Sequence, residues 1–115
     1  MPIKIDCKDE VKRGEKLTGN IIIGDYKNAR GIEVTISCIP YITYKRRCPF
    51  VKGLKFFNIK LEKVPSSIPL EFKVPEDAPV TFKGKNVGMY WIIDVKIDIP
   101  FWFDVHEKKE IIVKR

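Results

Sequence analysis

Apolar and polar residues alternate one by one along most of this sequence. In one stretch, Ile32, Val34, Ile36 and Cys38 are separated by charged or hydroxyl side chains. Successive side chains of a β-strand point to opposite faces, so this spacing predicts strands with one buried and one polar face. A helical period of 3.6 residues never persists beyond about one turn. We therefore expect an all-β fold.

Seven segments show this alternation, and turn residues separate them. In the first six segments, the residues expected to face inward are Ile3, Ile5 and Cys7; Leu17, Gly19, Ile21 and Ile23; Ile32, Val34, Ile36 and Cys38; Phe57, Ile59 and Leu61; Ile68, Leu70, Phe72 and Val74; and Met89, Trp91, Ile93, Val95, Ile97 and Ile99. The seventh segment is a strand over about 104–113. Seven short strands predict an immunoglobulin-like seven-stranded β-sandwich. Pro40 lacks an amide hydrogen, so it should break or bulge the third strand or place it at a sheet edge.

The length and composition fit one soluble domain. The chain has 115 residues, 44% hydrophobic and 32% charged, and we expect a single domain over 1–115 with nothing appended. Alternation begins near the first residue, without the apolar core of a signal peptide. We therefore expect a cytoplasmic protein. The Lys-, Glu- and Ile-rich sequence contains no glutamine, which leans towards a thermophilic source.

The three cysteines, Cys7, Cys38 and Cys48, cannot all pair within the chain. An odd count without a secretion signal favours reduced thiols. Cys7 and Cys38 fall in phase with apolar neighbours and should be buried, whereas Cys48 lies in a polar segment and should be the exposed thiol.

Three segments, in this order, resemble the arrestin family. Residues 13–21 (RGEKLTGNI), followed by 29–34 (ARGIEV), are similar to the opening of an arrestin-type domain. Residues 72–84 (FKVPEDAPVTFKG) are similar to its central proline-containing segment. Residues 90–102 (YWIIDVKIDIPFW), followed by 108–113 (KKEIIV), resemble the end of the N-terminal domain of alpha-arrestins. Related sandwiches occur in a retromer cargo-binding subunit and in bacterial sporulation-control proteins.

The resembling residues have physical roles in such a fold. Gly14 allows a tight turn, and Gly19 permits a close backbone approach. Pro75 and Pro79 stiffen a connection between sheets, and Trp91 is large enough to fill the space between them. The resemblance implies an arrestin-type β-sandwich and an adaptor-like role. Arrestins pair two such domains and alpha-arrestins carry Pro-Pro-x-Tyr tails, neither of which this sequence shows, so a receptor-desensitising role does not follow.

Residues for catalysis are sparse. His106 is the only histidine, and it lacks neighbouring cysteines or carboxylates at metal-ligand spacing. A Cys48–His106 nucleophile lacks a third group to orient it, and no glycine-rich phosphate loop precedes a helix. We expect no enzyme activity, no metal and no cofactor.

A basic loop is the first candidate binding site. Lys45, Arg46 and Arg47 are contiguous, and Lys52 and Lys55 follow. Arginine binds phosphate or carboxylate in a bidentate manner, so these residues fit an acidic or phosphorylated protein partner. A plain solvated loop is the alternative. The net charge of +7 also fits nucleic acid or an anionic membrane surface.

An aromatic corner is the second candidate. Phe101, Trp102 and Phe103 follow Pro100, and three consecutive aromatic residues cannot all face one core from a strand. They either close the end of the sandwich or form a hydrophobic contact for a partner.

Taken together, these features predict a non-catalytic protein-interaction module of the cytoplasm, adaptor-like in role. Exposed edge strands allow partner recognition or homo-oligomerisation by strand addition. The alternative is a basic protein that engages nucleic acid or anionic membrane without specificity.

Overall fold

The computed structural model describes residues 3–24, 26, 29–42, 53–85, 87–101 and 104–115. The strands assigned there are β1 (Lys4–Cys7), β2 (Glu10–Lys12), β3 (Lys16–Ile22), β4 (Gly31–Ile42), β5 (Leu54–Leu61), β6 (Ser67–Lys73), β7 (Phe82–Lys83), β8 (Val87–Asp98) and β9 (Val105–Lys114). The seven predicted strands are all present, and the short strands β2 and β7 join them. The prediction of an all-β sandwich is confirmed.

The strands form two sheets that pack face to face. The smaller sheet has the order β1-β3-β6, with antiparallel neighbours. The larger sheet has the order β2-β9-β8-β4-β5, with β7 paired to β8 outside this path. Its strands are antiparallel except for β2, which lies parallel to β9. The inward residues of both sheets alternate with polar ones and make one core.

Trp91 fills the centre of this core. Its side chain is completely buried, and its indole Nε1 donates a hydrogen bond to the backbone oxygen of Pro79 at 2.8 Å. Pro79 belongs to the connection that leaves β6 and crosses to the larger sheet. The bond therefore fixes that crossing against the core, because a buried indole N–H without an acceptor is unfavourable.

Two glycines have the roles expected of them. Gly14 has φ = 77°, a left-handed conformation that favours glycine. Gly19 lies against β1, where a Cβ atom would overlap the backbone oxygen of Asp6. β1 and β3 can therefore approach closely only with glycine at position 19.

Two expectations need correction. β4 is not broken at Pro40: its pairing with β8 continues through Pro40 to Ile42. In the sheet order β4 lies between β8 and β5, and its described pairing with β5 reaches Cys38. Cys7 is half-buried rather than buried, because β1 is an edge strand of the smaller sheet. Cys38 is fully buried, as expected.

Candidate functional site

Two of the predicted partner-binding residues, Lys55 and Phe101, lie in the described part of the chain. Lys55 is exposed near the start of β5. Phe101 follows β8 with φ = 65° and a fully exposed side chain, so at least one aromatic residue of the corner faces solvent, as expected. The remaining predicted residues lie outside the described residues: Lys45, Arg46, Arg47, Lys52, Trp102 and Phe103.

The structure places Lys55 beside the middle of the larger sheet and Phe101 beyond the end of β8. Lys55 pairs with Ser37, which pairs in turn with Ile92 of β8. Phe101 comes after Asp98, the last residue of β8. Along β8, Ile92 and Asp98 are six residue steps apart, which corresponds to about 20 Å. Lys55 and Phe101 therefore do not form one site.

The strand that carries Lys55 is a free edge. β5 ends the order of the larger sheet, and no other described strand covers it. It has eight residues and no proline. The other edge strands of the described chain offer less: β1, β2 and β7 have four, three and two residues, and β6 contains Pro69, which has no amide hydrogen to donate. β5 is therefore the best strand-pairing template among them.

A β-bulge at Phe56 holds this edge strand against the core. The register between β4 and β5 shifts at this point, so Phe56 is an extra residue on β5. Phe56 and Phe57 are consecutive, yet both pack inward. Their ring centres lie 4.7 Å from that of Trp91 and 5.8 Å from that of Phe72, respectively. These aromatic contacts connect the edge to both sheets.

The outward face of β5 carries two lysines, Lys55 and Lys60, close to the Glu33 carboxylate of β4. The Asn58 amide donates to the Glu33 carboxylate at 3.0 Å and to the Thr35 hydroxyl at 3.1 Å. This bond is the main reason why the pKa of Glu33 lies below its ordinary value, and nearby lysines add to the effect. Lys55 and Lys60 are exposed, and neither forms a salt bridge with a described residue.

A cleft of about 350 Å³ lies at the end of β5. Lys60 and Leu61 line it from β5, and the Arg30–Asp98 ion pair, 3.3 Å apart, lines it from the neighbouring strand ends. Leu61 was expected to face inward, but more than a third of its side chain is exposed. An apolar side chain and a cationic one therefore stand beside each other at this end of the edge.

The described residues offer little for catalysis. His106 Nδ1 lies 3.3 Å from the Asp94 carboxylate on an exposed face, and no group of three or more His, Cys, Asp and Glu residues in the described ranges could hold a metal. Burial raises the pKa of Cys38 to about 11 and also raises the pKa of Cys7. Both are protonated thiols at neutral pH and thus poor nucleophiles. Cys48 lies outside the described residues.

Known structures of the same fold include Spo0M, the sporulation control protein of Bacillus subtilis. The TM-score is 0.68, with 20% sequence identity over 98% of this chain and 49% of Spo0M. This chain therefore spans about half the length of Spo0M. A second match is superoxide reductase (neelaredoxin) from Ignicoccus hospitalis, with a TM-score of 0.58 and 13% identity over 99% of this chain and 81% of that protein. No family model and no curated protein sequence matches.

At these identities the likeness establishes the fold alone. The Spo0M match agrees with the expected β-sandwich, and the resemblance to the arrestin family stays a prediction. In the part of the chain that the structure describes, no helix is long and apolar enough to span a membrane.

The sequence prediction missed the edge position of β5 and its bulge. Sheet order depends on which strands pair, and alternation within a strand does not encode it. The bulge had a signal: Phe56 and Phe57 are adjacent aromatic residues that interrupt strict alternation. Two neighbouring large apolar residues within a strand that faces one core favour a bulge.

Proposed function

We propose that this chain is a non-catalytic protein-interaction module that binds an extended segment of a partner by strand addition to β5. The observation that carries the proposal is that β5, eight residues long and without proline, has no described strand on its outer side. Main-chain hydrogen bonds supply affinity in such complexes, and alternate side chains supply specificity.

The aromatic contacts behind β5 support this role. Phe56 and Phe57 hold the strand against Trp91 and Phe72 before any partner arrives. A preformed edge loses less conformational freedom on binding than a loop that must first become ordered. The energy of the new backbone hydrogen bonds is therefore available for affinity.

The Spo0M match supports a regulatory role. Spo0M is described as a sporulation control protein, a description that names no reaction. The neelaredoxin match is to a reductase, and its 13% identity carries no argument about activity in this chain. We propose an adaptor-like module and, from its odd number of cysteines, a cytoplasmic one.

The alternative, a basic protein that binds nucleic acid or anionic membrane, gains no support from the described surface. Several exposed cations there face acidic partners, as in the ion pairs Lys16–Glu71, Lys83–Glu110 and Lys96–Asp104. Residues 45–52, on which this alternative most depends, lie outside the described residues. It stays a prediction.

Selection from a display library of ten-residue linear peptides tests the proposal. We expect enriched peptides to bind in the extended form and to lose binding when the edge of β5 is blocked. Consecutive backbone N–H groups of a strand point to opposite sides, so either Asn58 or Ile59 donates towards the free edge. The variants Asn58→Pro and Ile59→Pro show which residue donates outward. Proline removes the N–H, so the variant that keeps its melting temperature has lost the outward donor and not a bond to β4.

Asn58→Ala and Ile59→Ala are matched controls, because each shortens the side chain but keeps the N–H. The proposal expects the folded proline variant to lose at least tenfold in affinity while its alanine control stays within about threefold. A selected peptide that binds the folded proline variant as tightly as the wild type, or a library that enriches no peptide, would contradict it.

A further inference from the structure

We infer that the segment that β5 accepts is acidic and belongs to a different protein rather than to a second copy of this chain. The inference rests on the proposed strand addition at β5 and specifies the partner. Its basis is the pair Lys55 and Lys60, both on the outer face of the edge strand, where they pair with Ser37 and Glu33 of β4.

Both ammonium groups are exposed to a partner, and their charges also act on the Glu33 carboxylate. Each side chain is exposed, and neither forms a salt bridge within the described chain. Glu33, the cross-strand neighbour of Lys60, has its carboxylate bonded by the Asn58 amide at 3.0 Å. An incoming strand places its own side chains directly opposite those of β5, where opposite charges stabilise the pair.

A second copy of the chain fits this edge poorly. Antiparallel pairing of two β5 strands about Ile59 sets Lys60 of each copy opposite Asn58 of the other. The two Lys60 side chains then lie on one face as diagonal neighbours, about 7–8 Å apart. Like charges on a strand edge oppose pairing, which is a common protection against self-association. The same lysines attract a strand with carboxylates at these positions.

The inner face of the edge defines the rest of the pattern. Ile59 is half-buried and Leu61 is more than one-third exposed. Side chains of an added strand that point inward would extend this apolar surface. The partner segment therefore alternates acidic residues, opposite the outward lysines, with aliphatic residues beside Ile59 and Leu61. Pairing beyond the bulge involves about five residues, Phe57 to Leu61.

Three synthetic eight-residue peptides test the charge requirement. Each is acetylated and amidated and has valine or isoleucine at alternate positions, with glutamate, serine or lysine at the others. Affinity for the 115-residue chain is measured by calorimetry at low salt, and amide chemical shifts locate the bound peptide. We expect the glutamate peptide to bind at least tenfold more tightly than the lysine peptide, with the largest shifts in β5, and the serine peptide to lie between them.

Charge reversal at the edge provides the decisive control. Lys55→Glu with Lys60→Glu should reverse the preference, so that the lysine peptide binds best. Lys73→Glu with Lys108→Glu makes the same change in net charge at exposed positions on β6 and β9 and should leave the preference intact.

The failures are distinguishable. Equal affinity for the glutamate and serine peptides, with shifts in β5, would overturn the acidic preference and leave strand addition standing. If the Lys73→Glu, Lys108→Glu control no longer prefers the glutamate peptide, the acidic preference of β5 is overturned as well. The attraction would then come from net charge alone. If no peptide shifts the amides of β5, strand addition itself fails and the inference falls with it.

Discussion

The ammonium group of Lys109 donates a hydrogen bond of 2.6 Å to the backbone oxygen of Cys7 and so connects the two sheets. Lys109 lies on β9 of the larger sheet and Cys7 on β1 of the smaller. The same ammonium group forms an ion pair with Asp9 at 3.1 Å. A charged contact therefore joins the sheets on this side of the sandwich, whereas no described strand covers β5 on the other.

Lys109→Met should destabilise the fold by about 2 kcal/mol. The substitution keeps most of the aliphatic stem but removes a charged donor from a half-buried carbonyl, and such hydrogen bonds contribute about 1.5–3 kcal/mol. Denaturant unfolding measures the change. Lys108→Met, on the exposed face of the same strand, should stay within about 0.5 kcal/mol. Equal effects of the two substitutions would show that the contact between the sheets contributes nothing.

Trp91→Phe should cost about 2–4 kcal/mol. The change removes the donor to the Pro79 oxygen and leaves a void in a fully buried position. Tyr90→Phe, one residue away and half-exposed, serves as the control and should have a small effect. Thermal and denaturant unfolding should agree on the order. A Trp91→Phe protein as stable as the wild type would mean that the crossing segment is held by other contacts.

Cys38 should react with iodoacetamide only slowly in the native protein, since burial raises its pKa from 9.0 to about 11. We expect Cys48 to react first, then Cys7, then Cys38. The linked effect on stability has a definite sign: the thiol ionises more readily in the unfolded chain, so stability falls as the pH rises from about 9 towards 11. Cys38→Val should reduce that slope. Rapid labelling of Cys38 at pH 8 would contradict its assigned burial.

Charge reversal in the basic loop, Arg46→Glu with Arg47→Glu, should leave the melting temperature nearly unchanged and weaken binding of a protein partner by more than tenfold. Surface substitutions usually change stability by about 0.5 kcal/mol, whereas one lost charged hydrogen bond costs about 1.5–3 kcal/mol in binding. The loss should shrink as salt rises. Unchanged affinity at low salt would assign these arginines to solubility, and a large fall in melting temperature would show that they are structural.

The sequence predicted the fold where the signal is local. Alternation in β8 identified Trp91, Ile93 and Val95 as inward residues, and all three are fully buried. The contact of Lys109 with Cys7 could not be predicted in this way. These residues are 102 positions apart, and their meeting depends on how the sheets are ordered and stacked.

The candidate site was predicted less well than the fold. Composition and motif identified Lys55 as one member of a basic loop, whereas the structure places it on a free edge strand with Lys60. That role depends on the absence of a neighbouring described strand, which is a property of sheet order. The partner roles of Phe101 and of the basic loop stay predictions.

Amide hydrogen exchange of the 115-residue chain with and without the glutamate peptide tests strand addition at β5 most directly. An added strand gives the outward N–H groups of β5 new acceptors, so their exchange should slow at least tenfold between Phe57 and Leu61. The edges at β1, β2 and β6 should exchange as before. Protection at one of those edges, or unchanged exchange throughout β5 at saturating peptide, would contradict the proposed function.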